Sequence, residues 1–150
     1  MKKNNFVNEL FSLDGKTVVL TGAAGRLGSR FAHILCASGA NVILVDKDTK
    51  KNTKLKLELS KKYDTTCEVF DINITNESAV KQMVKKIIKK FKKIDVLINN
   101  AHFVPRDHPK RDFPFENYPL DLWNETINTN LQGLFLCCRE IGRTMVKQNH

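Results

Sequence analysis

Nowhere in these 150 residues does an apolar run approach the roughly 20 residues that a membrane-spanning helix needs. A spanning segment is therefore not expected. Residues Met1 to Asp14 carry Lys2 and Lys3 but lack an apolar core of about 7 to 15 residues, so they do not read as a secretory signal. Cys36, Cys67, Cys137 and Cys138 include no C-x-x-C pair, which removes zinc-ribbon and thiol-exchange motifs. Three of them fall in expected helix or strand, where a free thiol packs as a small hydrophobe. The expected setting is a reducing cytoplasm. His102 and His108 share a loop without a cluster of further ligand-type residues, so no metal is expected. No Gly-Lys-Ser/Thr follows a glycine-rich turn, which excludes the phosphate loop of nucleoside triphosphatases. Proline is confined to Pro105, Pro109, Pro114 and Pro119, leaving the rest of the chain free to form unbroken strands and helices.

What is present is the composition of an ordinary globular domain, 41% hydrophobic and 27% charged, in a length that one domain fills. Twenty-five Lys and Arg against 16 Asp and Glu leave a formal charge of +9, enough to attract nucleic acid or an anionic surface. Placement decides the matter. Seven lysines lie between Lys81 and Lys93, interleaved at helical spacing with Val80, Met83, Val84, Ile87, Ile88 and Phe91. They read as the solvated face of an amphipathic helix. With no nucleic-acid-binding motif in the segment, neither nucleic acid nor membrane is expected as a partner.

Short apolar runs and helical patterns alternate along the chain. Thr17 to Leu20 is β-branched and ends in a glycine-rich turn, and Arg26 to Ser38 comes next with Leu27, Phe31, Ile34 and Leu35 on one helical face. Asn41 to Val45 is a second strand. Leu55, Leu57 and Leu59 alternate like a strand, while Leu55, Leu59 and Tyr63 keep helical spacing; length and lysine content favour helix. Cys67 to Phe70 is the third strand, Thr75 is placed to cap the lysine-rich helix, and Ile94 to Ile98 is the fourth strand. The proline-containing loop mixes Phe103, Phe113, Phe115 and Tyr118 with Arg106, Lys110 and Arg111. Trp123, Ile127, Leu131, Leu134, Phe135, Cys138, Ile141 and Met145 then resume a helical rhythm.

Strands alternating with crossover helices predict a parallel, doubly wound sheet in a three-layer α/β/α arrangement, covered on both faces. Such sheets bind ligands beyond the carboxyl ends of their strands, where Gly22, Asp46, Asp71 and Asn99 appear. The turn Thr21-Gly22-Ala-Ala-Gly25-Arg26-Leu27-Gly28 allows close backbone approach, and free amides at the helix start can hold a pyrophosphate. Asp46 ends the second strand 24 residues after Gly22, where a carboxylate accepts hydrogen bonds from an adenosine ribose. That carboxylate would repel the 2′-phosphate of NADP and so favours NAD. Arg26 and Lys47 stand near enough in sequence to soften this preference.

These residues resemble the short-chain dehydrogenase/reductase family. Leu13-Asp-Gly-Lys16, the Thr-Gly turn, Asp71-Ile72, Asn99-Asn100-Ala101 and Asn130-Leu-Gln-Gly133 stand in the family's order and spacing from about residue 13 to the end. The resemblance implies a Rossmann-type NAD(P)-binding domain over residues 13–150, incomplete at its C-terminus, behind an extension of residues 1–12. It implies cofactor contacts from Gly22, Gly25, Arg26, Leu27, Gly28 and Asp46, an adenine contact from Asp71 and Ile72, and a ribose-side segment at Asn100 and Ala101. Asn99 is expected to hold the sheet together. Asn130 matches the helix asparagine that helps position a water and the catalytic lysine; its alternative is a helix residue bonded to backbone.

Departures accompany the match. Arg26 occupies the middle glycine position of the short-chain pattern, and the resulting Gly-x-x-Gly-x-x-Gly is like that of the extended sugar-nucleotide branch, which points toward a sugar-related substrate. His102 replaces the usual glycine; it either lines the substrate side or is a loop histidine without a role. The family's serine and its Tyr-x-x-x-Lys are not found: Tyr63 is followed at four by Cys67, Tyr118 by Leu122, and no Ser occurs after Ser78. They are expected downstream of His150, so that the 150 residues alone are expected to be inactive. The implied activity is hydride transfer between nicotinamide and a hydroxyl or carbonyl substrate. The alternative is a dinucleotide-binding module without catalysis. A homodimer or homotetramer, paired through the helix beginning near Leu120, is expected of the full protein.

Overall fold

A computed structural model describes residues 10–105 and 108–148; the expected extension before Leu10 and the loop residue Arg106 lie outside them. Four parallel strands form one sheet in the order β3-β2-β1-β4, with β1 Thr17–Thr21, β2 Asn41–Asp46, β3 Cys67–Asp71 and β4 Val96–Ile98. Helices α1 (Arg26–Ala37), α2 (Thr49–Lys62) and α3 (Glu77–Phe91) connect successive strands, and α4 (Leu120–Ile127) and α5 (Leu134–Lys147) come after the proline-containing loop. This is the three-layer Rossmann-type arrangement.

Side-chain alternation along the strands builds two cores. Val18, Leu20, Val42 and Leu44 face α1 and α2, meeting Ala32, Leu35, Cys36, Leu55 and Leu59. Val19, Ile43 and Val45 face the other way, onto Val80, Met83, Val84 and Ile87 of α3 and Cys137 and Ile141 of α5. The strand residues of both sets are fully buried. Each such aliphatic side chain contributes about 1.5–3 kcal/mol on leaving water, so the central pair β1 and β2 anchors the fold. The register pairs Thr21 with Val45 and Asp46 with Asp71, bringing the carboxyl ends of three strands level.

Several local expectations change. Leu55 and Leu59 are buried and Leu57 is exposed, so the helix over that segment stands. The cap of α3 is Asn76, whose Oδ1 accepts from Ala79 N–H at 3.0 Å, rather than Thr75. Helix start is a matter of one residue, and the side chain that meets the third amide along satisfies the orphan donor. The C-terminal helix is not continuous: Asn128–Gly133 is a π-helical turn between α4 and α5. Gly133 there lies against Ile74, where a Cβ would come within 2.7 Å of its side chain. Beyond it Leu136, Cys137, Glu140 and Ile141 form the buried face, while Trp123, Ile127, Leu131, Leu134 and Phe135 of the expected stripe stay exposed. The extra residue of a π turn rotates the succeeding helix away from the 3.6-residue phase.

Among the described residues, no helix is long and apolar enough to cross a membrane. The lysines of α3 at 81, 85, 86, 89 and 90 are exposed, as a solvated face requires.

Candidate functional site

A crevice of about 470 Å³ opens at the carboxyl ends of the strands, a volume within the range of small-molecule sites. Its wall is assembled from the β1 turn (Gly22, Ala24, Gly25, Arg26, Leu27), the end of β2 (Asp46, Lys47), the segment after β3 (Ile72, Asn73) and the segment after β4 (Asn100 to Val104).

The glycine turn is dictated by crowding. Gly22 has φ +63, and a Cβ on it would stand 2.7 Å from Ala101 Cα. At Gly28, a Cβ would collide with the Gly22 carbonyl oxygen. The turn can therefore lie flat against the β4 segment and α1 only with hydrogen at both positions. Gly25 is less constrained; it caps α1 in an extended conformation with no side-chain cap bond. The first amides of α1, at Arg26 and Leu27, have no partner within the helix and belong to residues that line the crevice. An amide-rich helix start of this kind suits a phosphate.

Asp46 is set by backbone rather than by side chains. Its Oδ2 accepts from Ala24 N–H at 2.9 Å and its Oδ1 from Asp48 N–H at 3.0 Å. Each carboxylate oxygen has further lone-pair capacity, so the group is held in place and still able to accept from hydroxyls. Lys51 lines the same wall but is engaged by Asp48 at 2.8 Å; the Lys51 hydrogen bonds hold the Asp48 carboxyl below its ordinary range, and Asp48 in turn raises Lys51. Arg26 and Lys47 form no ion pair among the described residues.

Threonine and asparagine tie the floor together. Thr21 Oγ1 accepts from the amides of Asn100 at 3.1 Å and Ala101 at 3.0 Å, and Asn100 Nδ2 donates to the carbonyls of Thr21 and Gly22 at 3.1 and 3.0 Å. The sheet-holding task expected of Asn99 thus falls to Asn100. Asn99 instead donates to Cys138 Sγ at 3.2 Å. Past the end of β4 the chain turns, with the Asn100 amide donating to the Ile98 carbonyl at 3.1 Å, and this brings the Asn100 side chain onto the β1 turn. Asn130 reaches the crevice through Phe103, whose backbone it holds at both polar groups.

Of the residues expected from sequence, Gly22, Gly25, Arg26, Leu27, Asp46, Ile72, Asn100 and Ala101 line the crevice. Gly28 shapes it from behind. Asp71 stands exposed at its margin, outside the lining, with Oδ1 accepting from the buried Asn52 at 3.1 Å. His102, Phe103, Val104 and Thr129 also line the site. Spacing along the chain does not single out Thr21 or Asn52; the signal for Thr21 is its place as the hydroxyl closing β1. The described residues hold no group of three or more metal-ligating side chains.

Comparison with known proteins agrees with this geometry. The family model for short chain dehydrogenases matches residues 16–150. A short chain dehydrogenase/reductase of Macrophomina phaseolina is 32% identical over 140 residues, 93% of this chain and 77% of that protein. The 2-dehydro-3-deoxy-D-gluconate 5-dehydrogenase of Bacillus subtilis is 30% identical over 146 residues, 97% of this chain and 54% of that one. In structure, an NAD+-bound xylitol dehydrogenase superposes with a TM-score of 0.80 at 27% identity, covering 91% of this chain and 50% of the other. The chain belongs to the short chain dehydrogenase family. It spans about half the length of the last two proteins.

Proposed function

We propose that this chain supplies the cofactor-binding half of an oxidoreductase that exchanges hydride between a nicotinamide dinucleotide and a hydroxyl or carbonyl carbon, with NAD preferred over NADP. The observation that carries the preference is Asp46, a carboxylate held at the end of β2 by two backbone amides and lining the crevice. A 2′-phosphate beside it would meet like charge, which costs several kcal/mol in a partly desolvated site.

The residues fit such a cofactor. The flat cradle at Gly22 and Gly28 admits a backbone-hugging ligand, the α1 amides of Arg26 and Leu27 suit its pyrophosphate, and Asp46 suits the ribose diol. Ile72, Asn100 and Ala101 supply the walls on the adenosine side, and Asp71 borders it. When bound, the nicotinamide ring supplies the hydride donor or acceptor. Asn130 holds the Phe103 segment, and with it the wall on the far side of the crevice from Asp46. The proton-transferring tyrosine and lysine of the family have no match in these residues, and the reaction is proposed for the whole protein.

The substrate class proposed is a polyol, sugar or sugar acid. Its support is the glycine spacing together with the names of the similar proteins, which act on xylitol and on a deoxygluconate. The exposed stripe Trp123, Ile127, Leu131, Leu134 and Phe135 is proposed as the face through which the whole protein forms a dimer or tetramer.

Calorimetric titration with NADH and NADPH tests the proposal directly. Tighter binding of NADH is expected; tighter NADPH binding overturns the argument from Asp46, and binding of neither overturns the cofactor-binding reading.

A further inference from the structure

Cys36 lies in the last turn of α1 and Cys67 is the first residue of β3, thirty-one positions apart in sequence. Both are buried, and their sulfurs approach to 3.5 Å in the core between the sheet and α1. This end of the sheet is opposite the crevice, so the pair belongs to no part of the cofactor site. The remaining thiols form no such pair. Cys137 and Cys138 are consecutive on a helix and point apart, one buried and one exposed.

A disulfide needs its sulfurs about 2.05 Å apart, so closing this pair takes an approach of about 1.5 Å. Closure therefore calls for rotation of the two side chains and a small shift of the helix end. We propose that Cys36 and Cys67 are an oxidative modification site that takes up a hydroperoxide of hydrogen peroxide size and closes to an internal disulfide.

The environment divides the labour between the two sulfurs. The hydrogen bond shared with Cys67 outweighs burial and brings Cys36 down to about 7, which favours its thiolate near neutral pH. Cys67 is pushed up by that same bond, by burial and by the charge of the neighbouring thiolate. Cys36 is therefore the attacking sulfur. Its lone pair displaces hydroxide from the peroxide, breaking the O–O bond and leaving a sulfenic acid; the hydroxide takes the thiol proton as water. The negative charge that held Cys67 protonated is then gone. The Cys67 sulfur attacks the Cys36 sulfur, the S–O bond breaks, and the second water leaves with the Cys67 proton. Two thiols lose two electrons and the peroxide becomes two waters.

Burial selects the oxidant. Cys36 is 2% exposed and Cys67 5%, which admits a molecule of water size during local opening and excludes glutathione disulfide.

The test exposes the native full chain to hydrogen peroxide, then unfolds it in iodoacetamide and digests it without reduction. The expected product is a pair of peptides joined through Cys36 and Cys67, lighter by two hydrogen atoms than the sum of the free peptides, with Cys137 recovered alkylated. A parallel sample given glutathione disulfide is expected to return both cysteines alkylated. In a Cys67→Ser variant, which keeps a hydrogen-bonding hydroxyl beside Cys36 but no resolving sulfur, unfolding in dimedone after peroxide is expected to label Cys36. Recovery of Cys36 and Cys67 as alkylated thiols after peroxide, while Cys138 is oxidised, overturns the proposal. So does Cys36 over-oxidised beside a free Cys67 in the native chain. A glutathione adduct on Cys36 overturns the size selection. The mapping on the native chain stands whether or not the variant folds.

Discussion

Asn130 grips the backbone of Phe103 at both ends: its Oδ1 accepts from the Phe103 amide at 2.7 Å and its Nδ2 donates to the Phe103 carbonyl at 3.0 Å. The two residues are 27 positions apart, and the π turn is where the C-terminal helix departs from regular phase to present the asparagine. The side chain's role as seen is thus to position the crevice wall.

Asn130→Ala removes two partly buried hydrogen bonds, each worth about 0.5–1.5 kcal/mol. A stability loss of about 1–3 kcal/mol is expected in urea unfolding, with weaker NADH binding as the Phe103 segment loosens. Asn130→Asp is expected to do no better, because a carboxylate accepts from the amide but faces the carbonyl without a proton. Unchanged stability in the Asn130→Asp variant would contradict the two-ended grip.

Asp46→Ala removes the ribose acceptor and the charge that opposes a 2′-phosphate. NADH affinity is expected to fall about tenfold, equivalent to about 1.4 kcal/mol, and NADPH affinity to fall less or to rise. Calorimetric titration reads the ratio of the two, and an unchanged ratio counts against Asp46 as the discriminating group.

Three glycines separate steric need from mere presence. Gly28→Ala drives a methyl into the Gly22 carbonyl oxygen and is expected to cost on the order of 3 kcal/mol or prevent folding. Gly25→Ala meets that same oxygen at 3.2 Å and is expected to cost about 1 kcal/mol. Gly142→Ala, inside α5 with nothing within 4 Å, is expected to stabilise by about 0.5–1 kcal/mol. Urea midpoints of the soluble variants rank them.

Asp95 gives the fold an acid-sensitive tie. Burial pushes its carboxyl up, but the Thr17 amide and Lys93, with Lys16 nearby, outweigh this and hold it below the ordinary carboxylate range. A depressed folded pKa stabilises the native state above the unfolded value of about 3.9 and loses that contribution as pH falls through the folded value. The stability gap between the native chain and Asp95→Asn is therefore expected to be full at neutral pH and to shrink below about pH 4. A gap that persists undiminished in acid would remove the charge from the explanation.

The strands, the order of elements and most of the crevice were legible because burial periodicity and strand ends are local features. Leu55 and Leu59 against Leu57 resolved as soon as α2 had a sheet to pack on. The π turn was not legible: the apolar rhythm through Leu131 and Leu134 suits one continuous helix, and only contact with Ile74 and Phe103 distinguishes the break. Apolar residues lie on both the buried and the exposed side of the helix after that turn, so hydrophobicity alone does not separate the two faces.

By itself the sequence determined a parallel α/β sheet, a glycine turn entering a helix and a carboxylate at the end of the second strand, since each arises from side-chain type and spacing within one element. Only the tertiary structure decided which neighbour did which work. Asn100 rather than Asn99 ties β4 to the β1 turn, Asp71 turns to Asn52 at the margin, and Cys36 meets Cys67. These outcomes depend on strand register and helix docking, which bring together residues tens of positions apart and leave no periodic trace in the chain.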